Sequence, residues 1–398
     1  MARASKGAAV ALLLAMVLLG VFPIDVLLPS FPALSAHFAT PAADVAFSIS
    51  LFAIGIALSQ LLLGPLSDVI GRKGLLLAGM AVAMLGAAGC ALASDYRWFL
   101  AFRLLQALGC GCFVLSQALV QDLFQGRERE RLRILMTTAT GVFISLSPLA
   151  GTLLQGAVGW RGSFYLFIGL AALVWLKAWV FLPAAPRRAE GPRQNILQAY
   201  RRLGGRFDFF AYWLISAIAF ACHFSFIVIS PLIFMEQLGL SAYQFALTLL
   251  LYGAAYLVGG VVAGALSARV SAHGQIVGGL SLILLAGLLM LALTGWWGVS
   301  TLTILLPMLV CTAGTTLTRP AATSRAMDVF PEQAGASASA GSVLIFIIGG
   351  LLSALINLAS GSHLAWTLAA CLMLSGALGL ALNAQLRRGL ARTGQAGA

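Results

Sequence analysis

The chain has 398 residues, of which 61% are hydrophobic and only 9% are charged, and its formal net charge is +12. Soluble domains carry about 25% charged residues, so a water-soluble fold of this chain would expose more apolar surface than its polar residues can cover. The composition therefore excludes a soluble globular protein and indicates a protein whose surroundings are lipid.

The apolar segments are long enough to be helices rather than the strands of a membrane barrel. Runs such as 8–28 and 276–293 approach the roughly 20 residues with which a helix crosses the hydrocarbon core, whereas barrel strands alternate over short segments. Lipid offers no hydrogen bonds to the backbone, so such runs must be helical. We predict an all-α membrane protein with twelve transmembrane helices in two six-helix halves.

In chain order, the first half begins with a segment that follows Arg3 and Lys6 and is longer than the core of a signal peptide, so we expect it to be the first span. The first six spans are expected at 8–31, 44–66, 74–92, 97–121, 133–157 and 161–182. The last six are expected at 208–234, 241–266, 274–294, 299–322, 335–359 and 363–386. The halves are then 1–182 and 208–398, joined by an arginine-rich linker at 183–207.

Positive charge predicts the orientation of these spans. With the N-terminus inside, cytoplasmic segments contain 19 of the 24 Lys and Arg residues, and the periplasmic loops contain two, Arg97 and Arg161. This asymmetry follows the positive-inside rule and accounts for the net charge without a nucleic-acid partner. We therefore expect a multi-pass protein of a bacterial inner (cytoplasmic) membrane with both termini cytoplasmic.

The two halves show a faint internal repeat. Gly64-Pro65-Leu66-Ser67 ends the second span and Gly264-Ala265-Leu266-Ser267 ends the eighth, and Pro29 has a counterpart in Pro231. Duplicated six-helix halves place a substrate site near the midplane between them, and the two halves would form a complete transport path in a monomer.

Three motifs carry a family resemblance. The loop from Gly64 to Lys73 (GPLSDVIGRK) lies between the second and third spans, Arg103 with Gln106 and Gly109 lies in the fourth, and Gly141 with Ser147-Pro148-Leu149-Ala150-Gly151 lies in the fifth. They resemble the loop signature, fourth-helix motif and antiporter motif of the major facilitator superfamily. Ser147 and Thr152 stand where the antiporter motif usually has glycine. The resemblance implies a gating role for a set of six residues: Gly64, Asp68, Gly71, Arg72, Pro148 and Gly151.

Finer features are similar to one branch of that superfamily. Asp25-Val26-Leu27-Leu28-Pro29, Asp122-Leu123-Phe124 and Gly159-Trp160-Arg161 resemble the bicyclomycin/chloramphenicol-resistance (Bcr/CflA) type of drug:proton antiporter. The resemblance covers nearly the whole chain and is densest in the first 185 residues.

Asp25 is the one acidic residue placed clearly inside a predicted span. An ionised carboxylate there costs several kcal/mol, so Asp25 should bind a proton or find a cationic partner, and Arg103 is the natural candidate. We interpret this pair as the proton-coupling group. The alternatives are that Asp25 caps or snorkels at the outer end of its helix, and that the two residues form a static structural ion pair.

Several further polar residues share helix faces and are candidates for the substrate cavity. They are Gln106 and Gln117 in the fourth span, Tyr212 and His223 in the seventh, and Tyr252 and Tyr256 in the eighth. Interhelical hydrogen bonds, a packed histidine and aromatic packing are the respective alternatives. Arg319 and Lys177 are expected to snorkel toward the cytoplasmic side and receive no role.

The sequence thus predicts a proton-coupled small-molecule exporter of the multidrug type that works by alternating access. The alternatives are an exporter of an endogenous metabolite such as a siderophore or amino acid, and an uncoupled facilitator or importer. We find no metal-ligand cluster, no nucleophile with a base and no phosphate loop, so we predict neither an enzyme nor a cofactor. The expected partners are a small-molecule substrate, protons and the lipid bilayer.

Overall fold

The computed structural model describes residues 3–124, 126–182, 205–267, 269–330, 334–358 and 363–392. These residues form helices and short connections and contain no β-strand. Twelve of the helical segments are long and apolar enough to cross a membrane. The predicted fold class is therefore confirmed, and the twelve segments are numbered here as spans 1–12.

The described part of the chain divides into two compact units: Met1–Arg193 with Ser241–Gly253, and Gln194–Leu240 with Ala254–Ala398. The first part of span 8 thus belongs to unit 1 and the rest to unit 2. The predicted linker, 183–207, lies outside the described residues except for its last three positions.

Unit 1 contains spans 1–6. Its helices are Arg3–Asp25 and Phe31–Phe38 (span 1), Ala42–Ile70 (span 2), Arg72–Leu92 (span 3), Tyr96–Cys110 and Leu115–Leu123 (span 4), Gly126–Val158 (span 5) and Gly162–Phe181 (span 6). Short 3₁₀ turns at Leu28–Ser30 and Gly111–Val114 interrupt spans 1 and 4. The helix of span 5 begins before its membrane segment, because the charged turn after Gly126 continues the helix and only the part from Ala139 is apolar.

Unit 2 contains spans 7 and 9–12 and most of span 8. Its α-helices are Phe207–Pro231 (span 7), Ala242–Ser267 (span 8, begun in unit 1), Ala272–Trp297 (span 9), Thr301–Val329 (span 10), Ala334–Leu358 (span 11) and Leu364–Arg392 (span 12). A π-helical stretch, Leu232–Gln237, extends span 7.

Side-chain caps mark the start of spans 4 and 10. The Asp95 side chain accepts a hydrogen bond from the amide of Arg97 at the start of span 4, and Ser300 and Thr303 form a reciprocal capping box at the start of span 10. Such caps satisfy amide groups that have no partner within the helix. The caps fix the residue at which each of these two helices begins.

Close helix pairs in both units depend on glycine. A side chain at Gly86 of span 3 would overlap the backbone of Gln106 in span 4, and one at Gly279 of span 9 would overlap the backbone of span 10 at Gly314. Small residues allow membrane helices to approach each other closely, since lipid provides little hydrophobic drive for their association. The same pair of spans in each half is packed in this way, which agrees with the internal repeat.

Candidate functional site

Span 1 is interrupted at the residues that resemble a proton-coupling motif. The helix ends at Asp25, and the amide of Leu27 donates to the carbonyl of Ile24 at 3.4 Å. In a continuous helix that amide would donate to the carbonyl of Pro23. The Pro23 carbonyl instead accepts a hydrogen bond from Nη1 of Arg103 at 3.3 Å. The side chain of span 4 thus binds the backbone of span 1 at the point where its helix breaks.

Arg103 is fully buried, yet its hydrogen-bonding capacity is not used up. Its Nη1 also donates to Oε1 of Gln106 at 2.9 Å, and its guanidinium carbon lies 4.1 Å from the ring centre of Phe52. Its Nε and Nη2 atoms are buried without a hydrogen-bond partner. Arg103 and Gln106 also line a small cavity with Pro23 and Val26 that has room for about one water molecule. The guanidinium group therefore has two nitrogen atoms without a protein hydrogen-bond partner, and it borders a small cavity.

Asp25 is also buried, with 5% of its surface exposed. Within the described residues, no hydrogen bond or ion pair involves its side chain, so the direct pair with Arg103 that the sequence led us to expect is not formed in this structure. Arg103 binds Pro23, two residues before Asp25, instead. A carboxyl group and a guanidinium group therefore sit on adjoining elements, each without an ionic partner.

Span 5 packs tightly against the interruption in span 1. A side chain at Gly151 would overlap the carbonyl oxygen of Val26, and Gln155, one turn later, accepts a hydrogen bond from the Ser30 hydroxyl at 3.0 Å. Pro148 is buried within the same helix. Gly151 thus permits a close approach of span 5 to the turn just after Asp25.

The loop between spans 2 and 3 consists of a single residue, Gly71. Its φ of 92° lies in the region that favours glycine, and this conformation joins two helices with no further linker. Lys73 follows it and donates to the carbonyls of Trp179 and Leu182 at 2.6 and 2.7 Å, at the end of span 6. Of the other predicted gating residues, Arg72 is partly buried, while the side chains at 64 and 68 lie outside the described set.

Unit 2 contains a separate cluster around span 10. The Arg319 Nη1 atom donates to the hydroxyl of Tyr256 at 3.2 Å, and its guanidinium carbon lies 4.8 Å from the ring centre of Phe220. The buried ring of His223 packs against Tyr256 with a centroid separation of 5.1 Å. The structure thus brings together two of the predicted cavity residues, His223 and Tyr256, around Arg319, for which the sequence predicted no role.

The snorkelling expected of Arg319 is wrong. Its guanidinium group lies against Phe220, which is near the middle of span 7, so it does not extend to the end of the membrane segment. The sequence carried a usable indication, because a charged residue within a span marks a functional site by default. Only the contacts made by spans 7 and 8 show where that charge lies.

Among the other predicted cavity residues, Tyr212 lies away from the Arg319 cluster. Tyr252 is 1% exposed within unit 1, and Tyr212 packs beside a hydrophobic group that includes Phe209 and Trp213. Tyr212 lies 11 residues before His223, which is about 16 Å along a helix. The side chain of Gln117 lies outside those that the structure describes.

The continuous polar face predicted for span 4 is also wrong. The 3₁₀ turn at Gly111–Val114 separates Gln106 from Gln117. Four residues at three per turn rotate the later residues by about 80° relative to a continuous α-helix. The two glutamines therefore do not follow one helical periodicity.

The comparisons with known proteins agree with this architecture. A family model described as Major Facilitator Superfamily matches residues 10–353. This chain belongs to the major facilitator superfamily. It is a multi-pass membrane transporter and not an enzyme.

Among relatives within this superfamily, the chain is 29% identical over 356 residues to a chloramphenicol resistance protein of Pseudomonas aeruginosa, covering 88% of this chain and 83% of that protein. It is 28% identical over 237 residues to the multidrug resistance protein MdtL of Escherichia coli, covering 58% of this chain and 59% of that protein.

Two solved transporters share the fold. A D-xylose–proton symporter matches with a TM-score of 0.75 at 17% identity, over 94% of this chain and 97% of that one. A bacterial homologue of the human lysosomal transporter Spinster matches with a TM-score of 0.69 at 16% identity, over 97% and 96% of the two chains. At these identities the matches establish the fold alone.

Proposed function

We propose that this protein is a proton-coupled exporter of small molecules, of the multidrug and antibiotic type, that operates by alternating access. The observation that carries the proposal is Asp25, a buried carboxyl group without an ionic partner at the interruption of span 1. The relatives described as chloramphenicol and multidrug resistance proteins support export as the direction of transport.

The position of Asp25 suits reversible protonation. The other acidic residues within the described membrane segments lie at or near the segment ends, as Asp44, Asp208, Glu236 and Asp328 do. An ionised group at Asp25 would cost several kcal/mol unless compensated. Arg103 of span 4 binds the backbone two residues before Asp25 and has two buried nitrogen atoms without a hydrogen-bond partner. A neutral Asp25 needs no such compensation. Proton release and a rearrangement of Arg103 are therefore coupled in this proposal.

The cycle follows from that coupling. Substrate binds from the cytoplasm as Asp25 loses its proton, the transporter changes its open side, and a periplasmic proton returns to Asp25 as substrate leaves. One charge moving through 100 mV supplies about 2.3 kcal/mol, which sustains roughly a 40-fold gradient of a neutral solute. One carboxyl group is sufficient, and the proton gradient takes the place of a cofactor.

Transport into everted membrane vesicles tests the proposal. The assay uses chloramphenicol and a panel of drugs and metabolites, with and without an uncoupler, for the wild type, Asp25→Asn and Glu236→Gln. Glu236 is the matched control, because it is an exposed acidic residue at the end of span 7. We expect uncoupler-sensitive accumulation in the wild type and in Glu236→Gln, and none in Asp25→Asn.

The other outcomes assign other functions. Accumulation that the uncoupler does not change would identify a facilitator and remove Asp25 from the mechanism. Proton-driven loss of solute from the vesicle interior, which corresponds to uptake in the cell, would identify an importer. Accumulation of siderophores or amino acids without drugs would identify a metabolite exporter.

We further propose a bacterial inner-membrane location, both termini in the cytoplasm, and a monomeric transporter. The distribution of Lys and Arg supports this orientation. Phosphatase and fluorescent-protein fusions after residues 95, 159 and 398 test it. Phosphatase activity at 95 and 159 with fluorescence at 398 is expected, and the reverse pattern would overturn the orientation.

A further inference from the structure

The Arg319 side chain is a cation inside a membrane segment without an anionic counterpart. It forms no ion pair with any carboxylate in the described part of the chain. The sequence between Glu236 and Asp328 contains no acidic residue, and Asp328 lies nine residues further along the same span, which is about 13 Å of helix. Spans 8 and 9 therefore contain no acidic residue, and Asp328 is too far along the helix to pair with Arg319.

The donors around this cation are not all used. Nη1 of Arg319 donates to the Tyr256 hydroxyl, which leaves the hydrogen of that hydroxyl available for another acceptor. The Nε atom of Arg319 is buried without a hydrogen-bond partner, although the side chain as a whole is partly exposed. The cluster therefore offers several hydrogen-bond donors and a positive charge at one place.

Aromatic rings hold the guanidinium group in position. The Phe220 ring lies against the guanidinium group. Its centroid is 5.4 Å from that of Phe224, which stacks on it, and 5.6 Å from that of Phe346, which meets it edge-on. Such a ring orients a guanidinium plane and attracts its positive charge. A ring on the face of a guanidinium group does not occupy the N–H donors at its edge, which are the groups that bind a planar anion.

We propose that Arg319 and Tyr256 form a binding site for the carboxylate of an organic anion. The apolar or aromatic body of that anion packs on the rings of Phe220, Phe224 and Phe346. This inference rests on the proposed transport function and names the chemical class of one substrate group. A carboxylate matches the fork geometry of arginine, accepts a further bond from Tyr256, and removes the cost of an uncompensated cation in the membrane. A neutral amide of the same shape satisfies none of these three requirements as well.

Binding of matched acid and amide pairs to the purified protein in detergent tests this site. The pairs are benzoate with benzamide, cinnamate with cinnamamide and 1-naphthoate with 1-naphthamide, measured by isothermal titration in chloride-free buffer. In the wild type we expect at least one acid to bind about tenfold or more tightly than its amide, as a charge-assisted hydrogen bond predicts. The acid preference should disappear in Arg319→Gln and weaken in Tyr256→Phe.

Controls separate this site from general effects of charge and from the proton cycle. Lys177→Gln removes another cation from a membrane segment and should leave the acid preference unchanged. Arg319→Lys keeps the charge and should retain part of the preference, which guards against misfolding of the glutamine variant. The assay uses the purified protein without a proton gradient, so it measures binding and not proton-coupled transport. Failure of proton coupling and failure of this site are thus distinguishable.

Three results would overturn the proposal. They are equal affinity for every acid and its amide in the wild type, an acid preference that survives in Arg319→Gln, and competition by sodium chloride at the same concentration as the acids. The last result would assign the cluster to an inorganic anion.

Discussion

The backbone of Gly151 in span 5 lies so close to the carbonyl oxygen of Val26 in span 1 that a β-carbon at position 151 would overlap that oxygen. Val26 directly follows Asp25, at the point where the helix of span 1 ends. Span 5 thus packs on the turn that directly follows the proposed proton-binding group. The antiporter-type motif in span 5 and the acidic motif in span 1 therefore pack directly against each other.

Gly151→Ala should therefore impair transport and stability together. The added methyl group must displace backbone, and overpacking of this kind costs about 1–3 kcal/mol. Gly156→Ala is the matched control, because a β-carbon at position 156 of the same helix would have no other atom within 4 Å. Thermal unfolding in detergent and vesicle transport should both distinguish the two variants. Equal stability and activity would show that the contact is unimportant.

Arg103→Met should abolish proton-coupled transport with little effect on stability. The substitution removes two buried donors that lack partners, and it also removes the donor that serves the Pro23 carbonyl and Gln106. Each unsatisfied buried group costs about 1–3 kcal/mol, so the two effects largely offset each other. Arg97→Gln, at an exposed position in the same span, should keep both transport and stability. A loss of more than about 3 kcal/mol in Arg103→Met would instead mark Arg103 as a structural clamp.

The sequence was sufficient for the spans because the bilayer imposes a length and a composition that can be read directly from residues. It also indicated Asp25 and Arg103, because charges inside apolar segments are conspicuous. It did not reveal that Arg103 binds the Pro23 carbonyl. That bond depends on a helix break whose exact position proline alone does not determine, since neighbouring groups can satisfy the freed backbone.

Arg319 shows a different limit of the sequence. A cation in the second half of a long span looks the same in sequence whether it extends to the membrane surface or stays inside. The choice is made by Phe220 and Tyr256, which come from two other spans. Similarly, the 3₁₀ turn in span 4 begins at Gly111, and the glycines at 109 and 111 weaken the helix locally, but helix propensity alone does not fix the register that results.

Lys73→Met should lower the stability of the protein but leave its transport mechanism largely unchanged. Lys73 donates to two carbonyl groups at the end of span 6, where a helix leaves its last carbonyls unpaired and carries partial negative charge. We expect a loss of about 1–2 kcal/mol, measured as a lower melting temperature in detergent. Lys177→Met, in span 6 itself, should cost less, because no hydrogen bond of Lys177 is found within the described residues. If both variants melt alike while only Lys73→Met fails to transport, Lys73 acts in gating and not as a cap.

Two adjacent glycines in span 9 test whether unit 2 depends on close helix contact as unit 1 does. A β-carbon at Gly279 would overlap the backbone of span 10, whereas one at Gly278 has nothing within 4 Å. Gly279→Ala should therefore cost about 1–3 kcal/mol through overpacking, while Gly278→Ala should be neutral or stabilise by up to about 1 kcal/mol because alanine favours helix. The two variants have the same composition and lie one residue apart, so any difference in melting temperature reports the contact itself. Destabilisation by Gly278→Ala equal to that by Gly279→Ala would mean that the helix tolerates no change there for reasons other than its packing on span 10.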